Sequence, residues 1–359
     1  MGFTLRFVQG CSSAFVQTTC YSIACNDFPE QKEMIVGWVE AMTGVGLIVG
    51  PIVGSALYSF FGYANTFYIY GSFLVFLAVI IKCNFPERKE DPERLAEIKT
   101  LLLEGYSNQD TQEQVDFQGS VAITEVDSAT EEPLVQVGYC ALLCQPRFTL
   151  AALSSALCYF TYSFMEPILA NRLVEFNLSQ LQIGFFFGIW PVFYIPAAIA
   201  VQFVPTYIEK RVTIILSAIM SGVAFIFVGP SQLLDFPNTL VMMAIGQALV
   251  GIFTATMMIP GLPEMVESMK PKFPKEQERQ VNDYSSGIFN SFLGFGQVLA
   301  PMYGSTATAN YGFRLTSDIV AIICFVFGLV YFILGDGVEA FKTTCQNLRS
   351  SEKHDAIVT

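Results

Sequence analysis

Two carboxylates that fall inside apolar runs carry the strongest chemical signal in the chain. Glu166 precedes Pro167, with Tyr162 and Tyr159 one and two helical turns before it. An ionised carboxylate in lipid costs roughly 3 kcal/mol on insertion scales, so it belongs against a cavity or a partner. Aromatic faces beside it suit an organic cation, held by charge and cation–π attraction, and the same group can exchange a proton. The other reading of Glu166 is an interfacial, solvated side chain. Glu40 sits beside Trp38 near the start of its apolar run, within reach of cytosolic water, and reads as a gate or proton-path residue or as an anchor at the membrane surface. Arg6, the basic residue within the first run, is a coupling candidate acting on a neighbouring acid, with snorkelling to the interface as the alternative. Asn290 and Gln297, seven apart, share one helix face and can hydrogen-bond across a bundle or to a substrate.

This chemistry binds and exchanges small cations and protons; it does not make or break covalent bonds. No nucleophile–base pair or phosphate loop is present, so an enzyme has no support. The one histidine, His354, lies in the tail, and no Cys/His cluster suggests a metal site or a cofactor. The nine cysteines are odd in number and scattered, which argues against a disulfide framework. Cys140 and Cys144 flank a span and read either as palmitoylation sites or as ordinary small apolar residues.

The elements that must hold these residues are membrane spans. With 359 residues, 33 Phe, 14% charged residues and a mean hydropathy of +0.49, the chain is too apolar for a soluble protein of this length. Runs of about 20 apolar residues, the length that crosses the hydrocarbon layer, predict nine transmembrane helices in an all-α membrane protein. Three lie near 4–25, 35–60 and 64–83, and six near 147–170, 181–204, 211–229, 238–261, 283–306 and 315–335. The expected organisation is a partial N-terminal helical half over 1–83, an acidic linker over 84–146, a six-helix half over 147–335 and a tail over 336–359. Lys and Arg gather around the linker, after the fifth and seventh spans and in the tail, which places linker and tail in the cytosol and Met1 on the far side. Residues 84–137 hold thirteen acids against four bases, so most of the net charge of −12 resides there and nucleic-acid binding is not expected.

One stretch relates the halves. Gly44, Gly46, Gly50, Pro51 and Gly54 return 250 positions later as Gly294, Gly296, Ala300, Pro301 and Gly304, and the register continues to Gly62 and Gly312. Small residues three and four apart bare one face of a helix and let a neighbour approach closely in lipid. A Gly/Pro-interrupted apolar segment repeated in two halves points to a secondary transporter. Gly46, Gly50, Pro51, Gly54, Gly296, Pro301 and Gly304 are therefore the expected packing and gating positions. Subtracting 250 from the start of the second half places the matching start of the first about a hundred residues before Met1, so three helices of a symmetric pair are expected to be missing.

These segments resemble the major facilitator superfamily, and within it the vesicular amine transporters on their polyamine branch. Arg6-Phe-Val-Gln9-Gly10 resembles the superfamily's fourth-helix Arg-x-x-Gln-Gly, and Gly46 through Gly54 resembles the fifth-helix Gly-x-x-x-Gly-Pro-x-x-Gly of antiporters. Glu40 in Gly37-Trp-Val-Glu40, Glu166-Pro167 followed by Phe176-Asn-Leu-Ser, and Pro260-Gly-Leu-Pro263-Glu264 resemble the branch. The family's charged gate between helices two and three is expected to be missing with those helices, and its second-half counterpart, Tyr207-Ile-Glu209-Lys210-Arg211, keeps charges but not glycines. The resemblance implies a major-facilitator fold and secondary active transport: proton-coupled antiport of polyamines or monoamines across a vesicle or other acidic organelle membrane. The partners so implied are a small organic cation, protons and the lipid bilayer. The alternative is a truncated, non-transporting interaction partner or regulatory short form that pairs with a full-length homologue.

Overall fold

Long apolar runs punctuated by Gly, Pro and short polar turns leave the chain one way to satisfy its backbone in lipid, the α-helix. The computed structural model describes residues 2–84, 137–204, 208–274 and 277–358, and no strand occurs among them. The helices are α1 (Gly2–Asp27), α2 (Lys32–Asn84, after a 3-10 turn at Pro29–Gln31), α3 (Tyr139–Leu143), α4 (Pro146–Ser163), α5 (Glu166–Val174), α6 (Gln180–Val201), α7 (Lys210–Val228), α8 (Leu240–Met258), α9 (Gly261–Met269), α10 (Glu278–Leu334) and α11 (Gly337–Val358). Their starts follow local chemistry. Pro146 occupies the first turn of α4, where its missing N–H costs nothing. Ser179 and Gln182 form a reciprocal capping box on α6, and the Thr239 hydroxyl accepts from Met242 N at the head of α8. Most of the expected linker lies outside the described residues.

Seven helical segments among the described residues are long and apolar enough to cross a membrane. The nine spans expected would add α1 and count α10 twice. The latter follows from length: 57 residues at the α-helical rise extend about 85 Å, far beyond a hydrocarbon layer of about 30 Å. α10 is in fact interrupted at Gly312 (φ 78°, ψ 163°), and α2 at Gly62 (φ 74°, ψ 176°). These are backbone conformations open in practice only to glycine. The 250-residue repeat therefore persists in the dihedral angles. It persists in the hydrogen bonds too, since Thr66 donates to the Gly62 carbonyl at 2.9 Å and Thr316 to the Gly312 carbonyl at 2.7 Å.

The described chain divides into two compact units, one of Met1–Pro51 with Val135–Thr359 and one of Ile52–Leu134. In the second, the described residues are the later part of α2. The first is a helix bundle whose crossings are set by small residues. A Cβ on Gly296 would lie 2.1 Å from the Ala156 carbonyl oxygen, and one on Gly304 2.6 Å from that of Phe164, so α10 and α4 are in backbone contact. Ala300 is fully buried in the same seam. Gly246 meets α7 at Val228 N, and Gly251 meets α6 at the Trp190 carbonyl. The first copy of the motif behaves differently. A Cβ on Gly46 or Gly50 meets open space, and Gly44 takes the close approach instead. Gly54 belongs to the other unit, and the Pro51 side chain is outside the described set.

Arg314 and Arg172 are structural staples. Arg314 donates to the carbonyls of Pro230, Ser231 and Phe236, which holds the turn between α7 and α8, and Asp318 accepts from Gln232 N in the same turn. Arg172 pairs with Glu175, donates to Asn238 at 2.7 Å and lies over the rings of Phe176 and Phe313.

Candidate functional site

Glu40, Thr43 and Leu47 recur at helical spacing and line one face of α2. On that face the Glu40 carboxylate is 1% exposed, where the sequence suggested access to cytosolic water. The difference has a cause in two tyrosines. Tyr21 of α1 donates to Glu40 Oε1 at 2.5 Å, and Tyr194 of α6 donates to Oε2 at 2.7 Å. Each oxygen of the buried group thus has a phenolic donor, which offsets the cost of taking it out of water.

Gly44, one turn beyond Glu40, makes the second bond geometrically available. A Cβ there would stand 2.8 Å from Ile195 Cγ1 and 3.2 Å from Tyr194 Cδ1. A larger residue would hold α6 away and lift the Tyr194 hydroxyl from the carboxylate. Gly251 performs the same service behind α6, letting α8 press on the Trp190 backbone. Tyr21 is itself held edge-on by Phe289, with ring centres 5.2 Å apart.

From Glu40 a ladder of rings leads away. Tyr194 stacks on Trp190 at 4.8 Å, and Trp190 stacks on Tyr162 at 4.2 Å. The i, i+4 spacing of Trp190 and Tyr194 puts both on one face of α6, and among the described residues the buried indole Nε1 finds no hydrogen-bond partner. Between ladder and carboxylate lies a cavity of about 20 Å³, lined also by Cys158, Tyr159 and Thr254. That is room for about one water. The arrangement is an anionic group at the floor of an aromatic box, closed to anything larger without movement of the rings.

Glu166 stands elsewhere. α4 ends at Ser163, and Glu166 opens α5 beside Pro167 as an exposed carboxylate at a helix N-terminus, a favourable place for negative charge. Tyr162 interacts with it electrostatically, so this one ring lines the Glu40 cavity and also faces Glu166. Tyr159 lines the Glu40 cavity. Asn290 donates to Ala14 O at 3.2 Å and Thr18 Oγ1 at 2.9 Å, bonding α10 to α1. Gln297 is exposed. Gly296 and Gly304 bear on the site indirectly, by seating α4, the carrier of Tyr159 and Tyr162. Pro301 lies inside α10 in that seam. The Arg6 side chain is outside the described set. Tyr21, Tyr194, Cys158 and Thr254 were not singled out from the sequence. Only Tyr194 had a visible signal, as a polar aromatic four residues from Trp190.

Charged residues gather at the helix ends on the side expected to be cytosolic. Lys210, at the head of α7, pairs with Glu33 of α2 at 2.7 Å and with Glu267 of α9. Arg147 grips Glu264 of α9 with two bonds, Nε to Oε1 at 2.5 Å and Nη2 to Oε2 at 3.1 Å. Ser22 and Asn26 of α1 both donate to Asp283 of α10, at 2.5 and 2.7 Å. Among the described residues no group of three or more His, Cys, Asp or Glu is arranged to hold a metal.

A bundle of long apolar helices, broken at glycines 250 residues apart and closed over a buried carboxylate, defines a polytopic membrane transport protein. The sequence model of the Major Facilitator Superfamily matches residues 1–263 and 151–344, and the chain belongs to that superfamily. Among curated proteins it is similar to the MFS-type transporter SLC18B1 of Homo sapiens, 22% identical over 98% of this chain and 69% of the relative. The SLC18B1 proteins of Mus musculus and Rattus norvegicus are 22% and 20% identical, each over 99% of this chain and 70% of its own length. The protein is thus an integral, multi-pass membrane transporter and not an enzyme, of a family that moves small molecules.

Proposed function

We propose that the protein is a proton-coupled antiporter of organic cations, polyamines or monoamines, and that Glu40 is the group a proton and a cationic amine occupy in turn. The observation that carries this reading is the Glu40 carboxylate, bonded to Tyr21 and Tyr194 at the foot of the Tyr194–Trp190–Tyr162 stack. A single carboxylate compensates one positive charge, so proton and amine exclude each other there, which is the elementary requirement of exchange. The ring faces add cation–π attraction, about 2 kcal/mol or more when desolvated. They also shut out water while the site is closed.

Glu166 is the outer station in this reading, reached past Tyr162. The ion pairs Lys210–Glu33 and Lys210–Glu267 and the Asp283 cluster form the cytosolic closure, joining α2 and α1 to α7, α9 and α10. Opening toward the cytosol breaks these contacts and separates α6 from α2, which pulls Tyr194 off Glu40 and frees the box for an amine. An acidic lumen on the other face supplies the proton gradient.

The test is uptake of labelled spermine and of a labelled monoamine into acid-loaded proteoliposomes. Wild type is expected to accumulate amine only with the pH gradient, and Glu40→Gln to lose accumulation. Glu166→Gln is also expected to lose proton-coupled uptake, with expression intact. Gradient-driven uptake by Glu40→Gln equal to wild type overturns the assignment. Absence of gradient-driven uptake by wild type favours the interaction-partner reading.

A further inference from the structure

The last helix carries a feature that transport does not use. After α10 ends, Asp336 adopts a left-handed conformation (φ 55°) and the chain turns into α11. The turn is fixed from below, since Arg211 donates to the carbonyls of Gly335 and Asp336, and Glu209 N donates to Thr344 Oγ1 at 3.2 Å. Ala340 and Thr344 are buried by this docking. The Phe341 ring meets Phe332, near the end of α10, edge-on at 5.9 Å.

Docking by Ala340 and Thr344 leaves another face of α11 uncovered, and its composition is specific. Val338, Phe341, Cys345 and Leu348 recur at three- and four-residue spacing and are all exposed, three of them large apolar side chains 41–56% open. Lys342 and Arg349, seven apart and both exposed, run along the edge of that stripe, and neither is in an ion pair among the described residues. Between this face and Phe332 is an open groove of about 640 Å³, with Val338, Phe341 and Cys345 as apolar wall and Lys342 and Arg349 at the rim. An apolar stripe edged with Lys and Arg is the pattern of a helix lying in the headgroup region of a membrane. The stripe directly continues the end of a membrane span.

We propose that this groove binds an anionic phospholipid of the cytosolic leaflet, with its phosphate on Lys342 and Arg349 and an acyl chain against Phe332, Val338 and Phe341. Charge complementarity selects the occupant. Two cations at the rim of an apolar slot match a headgroup of net negative charge joined to a hydrocarbon tail, and a zwitterionic phosphatidylcholine offers no net charge to them. The bound lipid ties α11 to the bilayer, and through Thr344 and Arg211 it steadies the Glu209–Arg211 segment that opens α7.

Native mass spectrometry of the purified full chain, released from detergent with added phosphatidylserine or phosphatidylcholine, tests this. Wild type is expected to retain phosphatidylserine in preference. Each of Lys342→Gln and Arg349→Gln should lower that preference about fivefold, and the pair together about thirtyfold. Phe341→Ser should weaken both lipids alike. Equal retention of the two lipids by wild type, or an undiminished preference in the double variant, overturns the proposal. So does competition by glycerophosphoserine as strong as by the intact lipid, because the apolar wall then plays no part. A lipid-free dimer that Phe341→Ser dissociates would assign the face to a second copy of the chain and overturn it as well.

Discussion

Removing Arg147 should destabilise the protein more than removing Glu264, although the two make the same pair. The Glu264 side chain is 0% exposed and that of Arg147 31%. In Arg147→Ala the carboxylate stays buried without its bidentate donor, and breaking a buried pair from one side costs about 3–5 kcal/mol. Arg211 lies close enough to compensate part of that charge, which sets the expectation near the lower end, about 3 kcal/mol. In Glu264→Ala the stranded guanidinium keeps almost a third of its surface in water and can turn outward, so the cost is that of lost bonds, about 1–3 kcal/mol. Replacing both with Met should come within about 1 kcal/mol of wild type, because well-packed apolar residues substitute for buried ion pairs at little cost. The assay is unfolding in mixed dodecyl maltoside and dodecyl sulfate micelles, followed by near-ultraviolet circular dichroism. Arg147→Ala matching or exceeding Glu264→Ala in stability would refute the reasoning.

The two copies of the glycine motif should respond differently to the same change. Gly296→Ala forces a Cβ into the Ala156 carbonyl and is expected to cost about 1–3 kcal/mol in the same assay, while Gly50→Ala, which meets open space, should be neutral or stabilising by up to about 1 kcal/mol. Equal effects would show that α4 and α10 are not in contact there. Lys210→Gln unlinks α2 from α7 and α9, and should speed modification of buried Cys25 by an impermeant maleimide from the cytosolic side, read by peptide mass spectrometry. An unchanged rate would remove Lys210 from the closure. Tags near Ser107 and at Thr359 should both be cytosolic, and a lumenal tag at either place would contradict the charge-based orientation.

How much of this was legible in the sequence depended on distance along the chain. The repeat was legible because Gly62 and Gly312 need a conformation only glycine supplies, and a residue-type requirement of that kind survives in a sequence at fixed spacing. The seven segments long and apolar enough to cross a membrane were legible because burial in lipid demands about 20 apolar residues regardless of the neighbours. Glu40 could be noticed as a carboxylate in an apolar run. Its burial could not, because it is set by Tyr21 and Tyr194, the latter 154 residues away, and by the bare Gly44 between the helices. Tyr159 and Tyr162 were visible as aromatics near Glu166 by helical spacing. The same residues line the Glu40 cavity, a consequence of how α4 packs on α10. The Arg147–Glu264 pair spans 117 residues, and nothing local in either segment marks the other.

The central claim is that a proton and an amine cannot occupy Glu40 together. Its most direct measurement is proton release when spermine is added to the purified protein in weakly buffered detergent at acidic pH, with bound spermine counted in parallel. Wild type is expected to release about one proton per amine bound, with affinity rising as the pH rises, because Glu40 gives up its proton to accept the cation. Tyr194→Phe should bind with altered affinity and the same stoichiometry, and Glu40→Gln should release none. Spermine binding without proton release in wild type, or undiminished release in Glu40→Gln, would contradict the account.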